Sequence, residues 1–128
     1  VGYTFFWKWK AEDEHRIHGV GFAIHTALLR QFPVVPTHVH ERLIQLRVPL
    51  SKSRYIAIIS SYAPTLTSSE EDKEFFYESL DALVKATLAC DKLVILGSFN
   101  ARMGHGYESW NGVLRHNGIR KMNKNGLL

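Results

Sequence analysis

Leu93-Val94-Ile95-Leu96-Gly97-Ser98-Phe99-Asn100-Ala101-Arg102 is the stretch whose reading decides the fold of this chain. Four apolar residues run unbroken to Gly97, and polar groups follow at once. A short apolar run closed by glycine reads as a buried strand, of the kind covered on both faces in a parallel sheet. In α/β sheets, ligand-binding groups lie just past the carboxyl ends of such strands. Asn100 offers an amide able to hold a water or a phosphate oxygen, and Arg102 a guanidinium suited to phosphate. The same residues also describe a strand-ending turn with Asn in a tight conformation.

Working outward, the preceding segment supplies a helix. Ser68 and Glu71 have capping-box spacing, and Glu70 and Glu71 suit the positive end of a helix dipole. Phe76, Leu80, Leu83, Val84 and Leu88 follow helical spacing, so a helix is predicted over Ser68 to Cys90 with one apolar face. Before it, Tyr55 to Tyr62 is a nearly continuous β-rich run, and Arg42 to Leu50 alternates. Ile44, Leu46 and Val48 share one face, and Gln45 and Arg47 the other. With Ser51-Lys52-Ser53 as the turn, these two runs predict a hairpin. Further upstream, Tyr3 to Trp9 and Val20 to Ile24 read as strands, Ala11 to His18 as a turn and His25 to Phe32 as a helical turn stopped by Pro33 and Pro36. After Gly97 the chain is rich in Gly and Asn and reads mostly as loop. Strands, one strong helix and a further strand predict a layered α/β or α+β sandwich.

Composition agrees with a folded chain. Of 128 residues, 45% are hydrophobic and 22% charged, which is the balance of a globular protein rather than a disordered one. A single cysteine, Cys90, excludes an intramolecular disulfide and a cysteine-based zinc site, and at the end of an apolar helical pattern it reads as a buried free thiol. No apolar run approaches the about 20 residues of a membrane span, and the start, Val1-Gly2-Tyr3-Thr4-Phe5-Phe6-Trp7, lacks the marks of a signal peptide. The expected compartment is intracellular, nuclear or cytoplasmic. His38 and His40 alternate as strand ligands would, but they follow Pro36 in a loop-like stretch without a carboxylate or cysteine cluster, so no metal site is assigned. Trp7, Trp9 and Trp110 could stack on bases, although packing in the core or at a sheet edge explains them as well.

Net charge is +4 and unevenly distributed. Over residues 92–128, Lys92, Arg102, Arg115, Arg120, Lys121 and Lys124 face only Glu108, whereas the helix is acidic. A basic tail of this kind suits a polyanion, DNA included, held weakly; the candidate contacts are Arg102, Arg115, Arg120, Lys121 and Lys124. Solvated surface lysines and arginines give the same charge pattern.

Gly97-Ser98-Phe99-Asn100-Ala101-Arg102 resembles the Gly-Asp-Phe-Asn signature of the endonuclease/exonuclease/phosphatase superfamily. It does so in the Ala-Arg form of LINE-retrotransposon endonucleases and of craniofacial development protein 2-like sequences. Ser60-Ser61-Tyr62-Ala63-Pro64-Thr65 is similar to the Tyr-Ala-Pro motif after a central strand of that family, and Gly19-Val20-Gly21-Phe22-Ala23-Ile24 to its Gly-Val-Gly strand. Trp110-Asn111-Gly112-Val113-Leu114 and Asn123 to Leu128 look like the loop after the signature in the same branch. The resemblance covers nearly the whole chain.

The resemblance implies part of a four-layer α/β sandwich of DNase I-like type, over a single domain at 1–128 that is expected to be incomplete. It implies Mg²⁺-dependent hydrolysis of a DNA phosphodiester. In such a site Tyr62 aims its hydroxyl at the phosphate, Asn100 holds water and phosphate, and position 98 carries an Asp that orients the attacking water. Here position 98 is Ser, and the Glu-bearing and Asp-His-bearing parts of the family pattern have no counterpart. The expectation is therefore a domain that binds Mg²⁺ poorly and does not cleave. The alternatives are a non-enzymatic nucleic-acid or protein interaction module built on the same domain, and a live nuclease completed by segments outside these residues.

Overall fold

Alternating and β-branched residues build the strands, and the register of each pair then decides which side chains meet. Residues 2–8 and 19–101 are described in the computed structural model of the chain. In chain order they form β1 (Tyr3–Lys8), β2 (Val20–His25), α1 (Thr26–Gln31), β3 (Thr37–His40), β4 (Leu43–Ser51), β5 (Arg54–Tyr62), α2 (Glu70–Ala86) and β6 (Lys92–Ser98). The class is α+β. β1 and β2 pair antiparallel, and a second sheet has the order β3-β4-β5-β6. The predicted β4–β5 hairpin is present, antiparallel, with Leu46 opposite Ile58. The chain then crosses through α2 and returns as β6, parallel to β5, so the two apolar runs are neighbours as expected.

Strand parity assigns the two faces of the larger sheet. Leu43 lies opposite Ser61 and Gln45 opposite Ile59, and this face meets α2. There Leu43, Ile59, Ala63 and Phe76 are fully buried, with Tyr77, Leu80, Leu83, Ile95 and Phe99 packed on them. Burial of Leu43, Ile59 and Phe76 contributes roughly 1.5–3 kcal/mol each. On the opposite parity Ile44 and Leu46 are buried, as are Val20 and Ile24 of β2, which contacts both β4 and β5.

The acidic first turn of α2, Glu70, Glu71 and Asp72, lies at its dipole's positive end. Its N-cap is Ser69, whose hydroxyl accepts from the Asp72 amide at 3.1 Å, and not Ser68. Ser68 is engaged in the preceding turn, its amide donating to the Thr65 carbonyl at 3.1 Å. The helix ends at Ala86, where Thr87 turns extended and its hydroxyl donates to the Leu83 carbonyl at 3.0 Å. Leu88 and Cys90 therefore fall beyond it, and Cys90 is exposed rather than buried.

β6 departs from expectation in another respect. It extends to Ser98, and Leu93 and Leu96 are exposed. Among the described residues β6 is an edge strand of its sheet, so apolar content alone did not imply cover on both faces. His38 and His40 lie on β3, not in a loop; His40 is half-buried, its ring against Phe75 and Phe76. Trp7 sits on an outward, exposed face of β1. Trp9 and Trp110 lie outside the described residues.

The turn between α2 and β6 is tied to the hairpin by charge. Arg47 of β4 donates to Asp91 through Nε at 2.7 Å and Nη2 at 3.2 Å, a bidentate pair, while its guanidinium stacks on Tyr55 at 3.6 Å. Hydrogen bonding to Arg47 holds the Asp91 carboxyl below its ordinary 3.8. A depressed carboxylate stabilises the fold above the unfolded-state value, and the contribution is lost as pH falls through the folded-state value. Asp91→Asn should therefore lower Tm near neutrality, and the gap to the parent chain should close below pH 3.8. Thermal melts across acid pH measure this; a gap that stays constant down to about pH 2 would show that the pair does not titrate with folding.

Candidate functional site

The carboxyl ends of β5 and β6 are drawn together by an absent side chain. Gly97 has φ +142°, a region that side-chain-bearing residues avoid. A Cβ at this position would lie 1.8 Å from the Ser61 carbonyl oxygen. The close approach lets the Ser61 hydroxyl donate across to the Leu96 carbonyl at 3.2 Å. One step further, the Ala63 amide donates to the Ser98 carbonyl at 2.8 Å. The register then places Tyr62 directly beside Ser98.

Asn100 turns back over this junction. It is the one described non-glycine residue at positive φ, 48°, a conformation that Asn tolerates better than most residues. Its side-chain amide donates to the Ala63 carbonyl at 2.6 Å, and the Ser98 hydroxyl donates to its Oδ1 at 3.4 Å. The tight-turn reading and the site reading of Asn100 thus hold together: the turn brings the amide to the end of β5. Tyr62, from one stretch of the sequence, and Ser98 and Asn100, from another, share one end of one sheet.

Sequence reasoning did not single out Arg42, which completes the cluster. It precedes β4, beside the end of β5. Its carbonyl accepts from the Tyr62 amide at 3.0 Å, and its Nη1 donates to the Tyr62 carbonyl at 3.3 Å. The guanidinium carbon lies 5.7 Å from the centre of the Tyr62 ring. Arg42 is buried, at 7% exposure. The pairing of Leu43 with Ser61 was the available signal, since a hairpin closed at Lys52 and Ser53 brings Arg42 to Tyr62. Arg102, Arg115, Arg120, Lys121 and Lys124 lie outside the described residues.

The chemistry that Tyr62, Ser98 and Asn100 offer is hydrogen bonding. A phenol, a serine hydroxyl and a carboxamide can each hold a phosphate oxygen or a water by hydrogen bonds. Mg²⁺ is held chiefly through carboxylate and phosphate oxygens in octahedral geometry. Tyr62, Ser98 and Asn100 supply no carboxylate, and this donor set does not fit the ion. Among the described residues no group of His, Cys, Asp or Glu side chains is placed to hold a metal. No helix among them is long and apolar enough to cross a membrane.

Comparisons with protein-family models, with curated proteins and with solved structures find no match to this chain.

Proposed function

We propose that this chain is a non-cleaving relative of the Mg²⁺-dependent DNA endonucleases of the endonuclease/exonuclease/phosphatase superfamily, in the LINE-retrotransposon branch. Its sandwich is then part of the four-layer DNase I-like type. The observation that carries the reading is the meeting of Tyr62, Ser98 and Asn100 at the carboxyl ends of two adjacent parallel strands. The residues that resemble the family motifs are 36 positions apart from Tyr62 to Ser98 in sequence, yet they are register partners. The contact of β2 with β4 and β5, opposite the α2 face, supports a further layer.

Among the described residues the site offers groups that position a phosphate, and Ser98 brings no carboxylate to activate water. Asn100 and Tyr62 orient an oxygen by hydrogen bonds, while Ser98 stands where the resemblance places the water-orienting carboxylate. What survives is binding without turnover, a nucleic-acid interaction module with intracellular DNA as the polyanion.

Binding of this kind rests on phosphate contacts from the basic tail, which release counterions, so affinity falls steeply with salt. A fluorescence titration of labelled duplex DNA at two salt concentrations is the test. Weak binding, insensitive to sequence and lost at the higher salt, is expected. Tight binding that ignores salt would contradict the proposal.

A further inference from the structure

The two edges of the larger sheet are built differently. At one, β3 is four residues long, follows Pro36 directly and carries a register shift between His38 and His40. Short strands, proline and bulges keep a sheet edge from pairing with another chain. At the other edge, among the described residues, β6 has none of these devices. It runs seven residues in unbroken register with β5, contains no proline, and carries one charge, Lys92, at its first position. Leu93 and Leu96 are exposed on it. A long, apolar and unprotected edge strand is a template for pairing with a further strand. The carbonyls of Leu96 and Ser98 face β5, where the Ser61 hydroxyl and the Ala63 amide donate to them. Backbone groups alternate sides along a strand, so those of Leu93, Ile95 and Gly97 face the outer edge.

From this geometry we propose that the outer edge of β6 is a self-association surface. Its occupant is β6 of a second copy of this chain, antiparallel to the first about a two-fold axis at Ile95. A two-fold interface brings one surface against itself and must be self-complementary. Centred on Ile95, the midpoint of the strand, this one is. The two Ile95 residues exchange both backbone bonds, and Leu93 pairs with Gly97 of the second copy, so all three outward-facing residues are used. Between them fall the closer pairs, Val94 with Leu96 and Lys92 with Ser98. Each Lys92 thus meets a neutral hydroxyl rather than its own copy, and each exposed Leu96 gains an apolar neighbour. One strand pair is a small interface, so the dimer is weak and is populated at high protein concentration.

Sedimentation velocity on the full chain, from about 1 µM to about 1 mM, reads this. Weight-average mass should rise reversibly with concentration toward that of a dimer. Leu93→Pro removes an outward N–H that β5 does not use, and Leu96→Lys puts a charge on an exposed side chain. Each should weaken dimerisation roughly tenfold or more, because the two-fold makes every loss count twice. Far-UV dichroism checks that the variants fold, and Leu96→Lys keeps the test decisive should Leu93→Pro not fold. Spin labels at Lys92→Cys, in a Cys90→Ser background, read the register: the two Cα positions should lie about 20 Å apart, six residues along an antiparallel pair. A chain that stays monomeric over the whole range overturns the proposal. So does a dimer that Leu96→Lys leaves unchanged, the result expected if copies meet instead through the exposed Tyr3, Phe5 and Trp7 of β1.

Discussion

Gly97→Ala should abolish stable folding. Two costs coincide at this residue. Its φ of +142° is one that alanine adopts only with strain. Its missing Cβ is also the space in which the Ser61 carbonyl sits, at 1.8 Å from where the carbon would be. The obstruction is backbone, not the end of a flexible side chain, so relief requires β5 and β6 to separate at their carboxyl ends. Separation would weaken the Ser61–Leu96 and Ala63–Ser98 hydrogen bonds as well. A substitution of this class costs above about 4 kcal/mol, against a total stability of about 5–15 kcal/mol for an ordinary domain. Urea denaturation followed by tryptophan fluorescence and far-UV dichroism should show little or no cooperative transition. A transition within a few tenths molar of the parent midpoint would mean that the strands are not held this closely in solution.

Much of this fold was legible because period and parity are local properties. The alternation of Ile44, Leu46 and Val48 identified β4, the polar turn after Leu50 paired it with β5, and helical spacing from Phe76 to Leu83 identified α2. The exposure of β6 has a plain cause: burial depends on what lies across from a residue. Leu93 and Leu96 are as apolar as any core residue, yet β6 closes the described sheet and exposes them. Cys90 was placed by extending the helix one turn too far, where Thr87 ends it. Arg42 was passed over because an arginine beside an apolar strand reads as a solvated side chain with its stem on the surface. Only the register of a neighbouring strand shows that it lies under Tyr62.

The site was legible as a list of residues but not as an arrangement. Gly97 read as a strand stop, and its closeness to Ser61 belongs to the parallel pairing with β5. Asn100 read equally as a turn former and as a ligand group, and one conformation serves both: φ 48° carries its amide to the Ala63 carbonyl.

If this arrangement binds without cutting, as proposed, the expected loss of activity is large. Removing one preorganised group from an active site typically costs about 10²–10³ in rate. Ser98 supplies no carboxylate, and the described residues contain no cluster of ligands for a metal. Restoring one acid by Ser98→Asp adds a single fixed charge, and the described residues bring no further metal ligand to it. Neither the parent chain nor Ser98→Asp should therefore turn over a phosphodiester. The direct measurement is nicking of supercoiled plasmid in Mg²⁺, with EDTA as control, by the parent chain, Ser98→Asp and Asn100→Ala. No EDTA-sensitive conversion to the open circle is expected from any of the three. Nicking by the parent chain that EDTA stops and Asn100→Ala removes, or nicking switched on by Ser98→Asp alone, would contradict it.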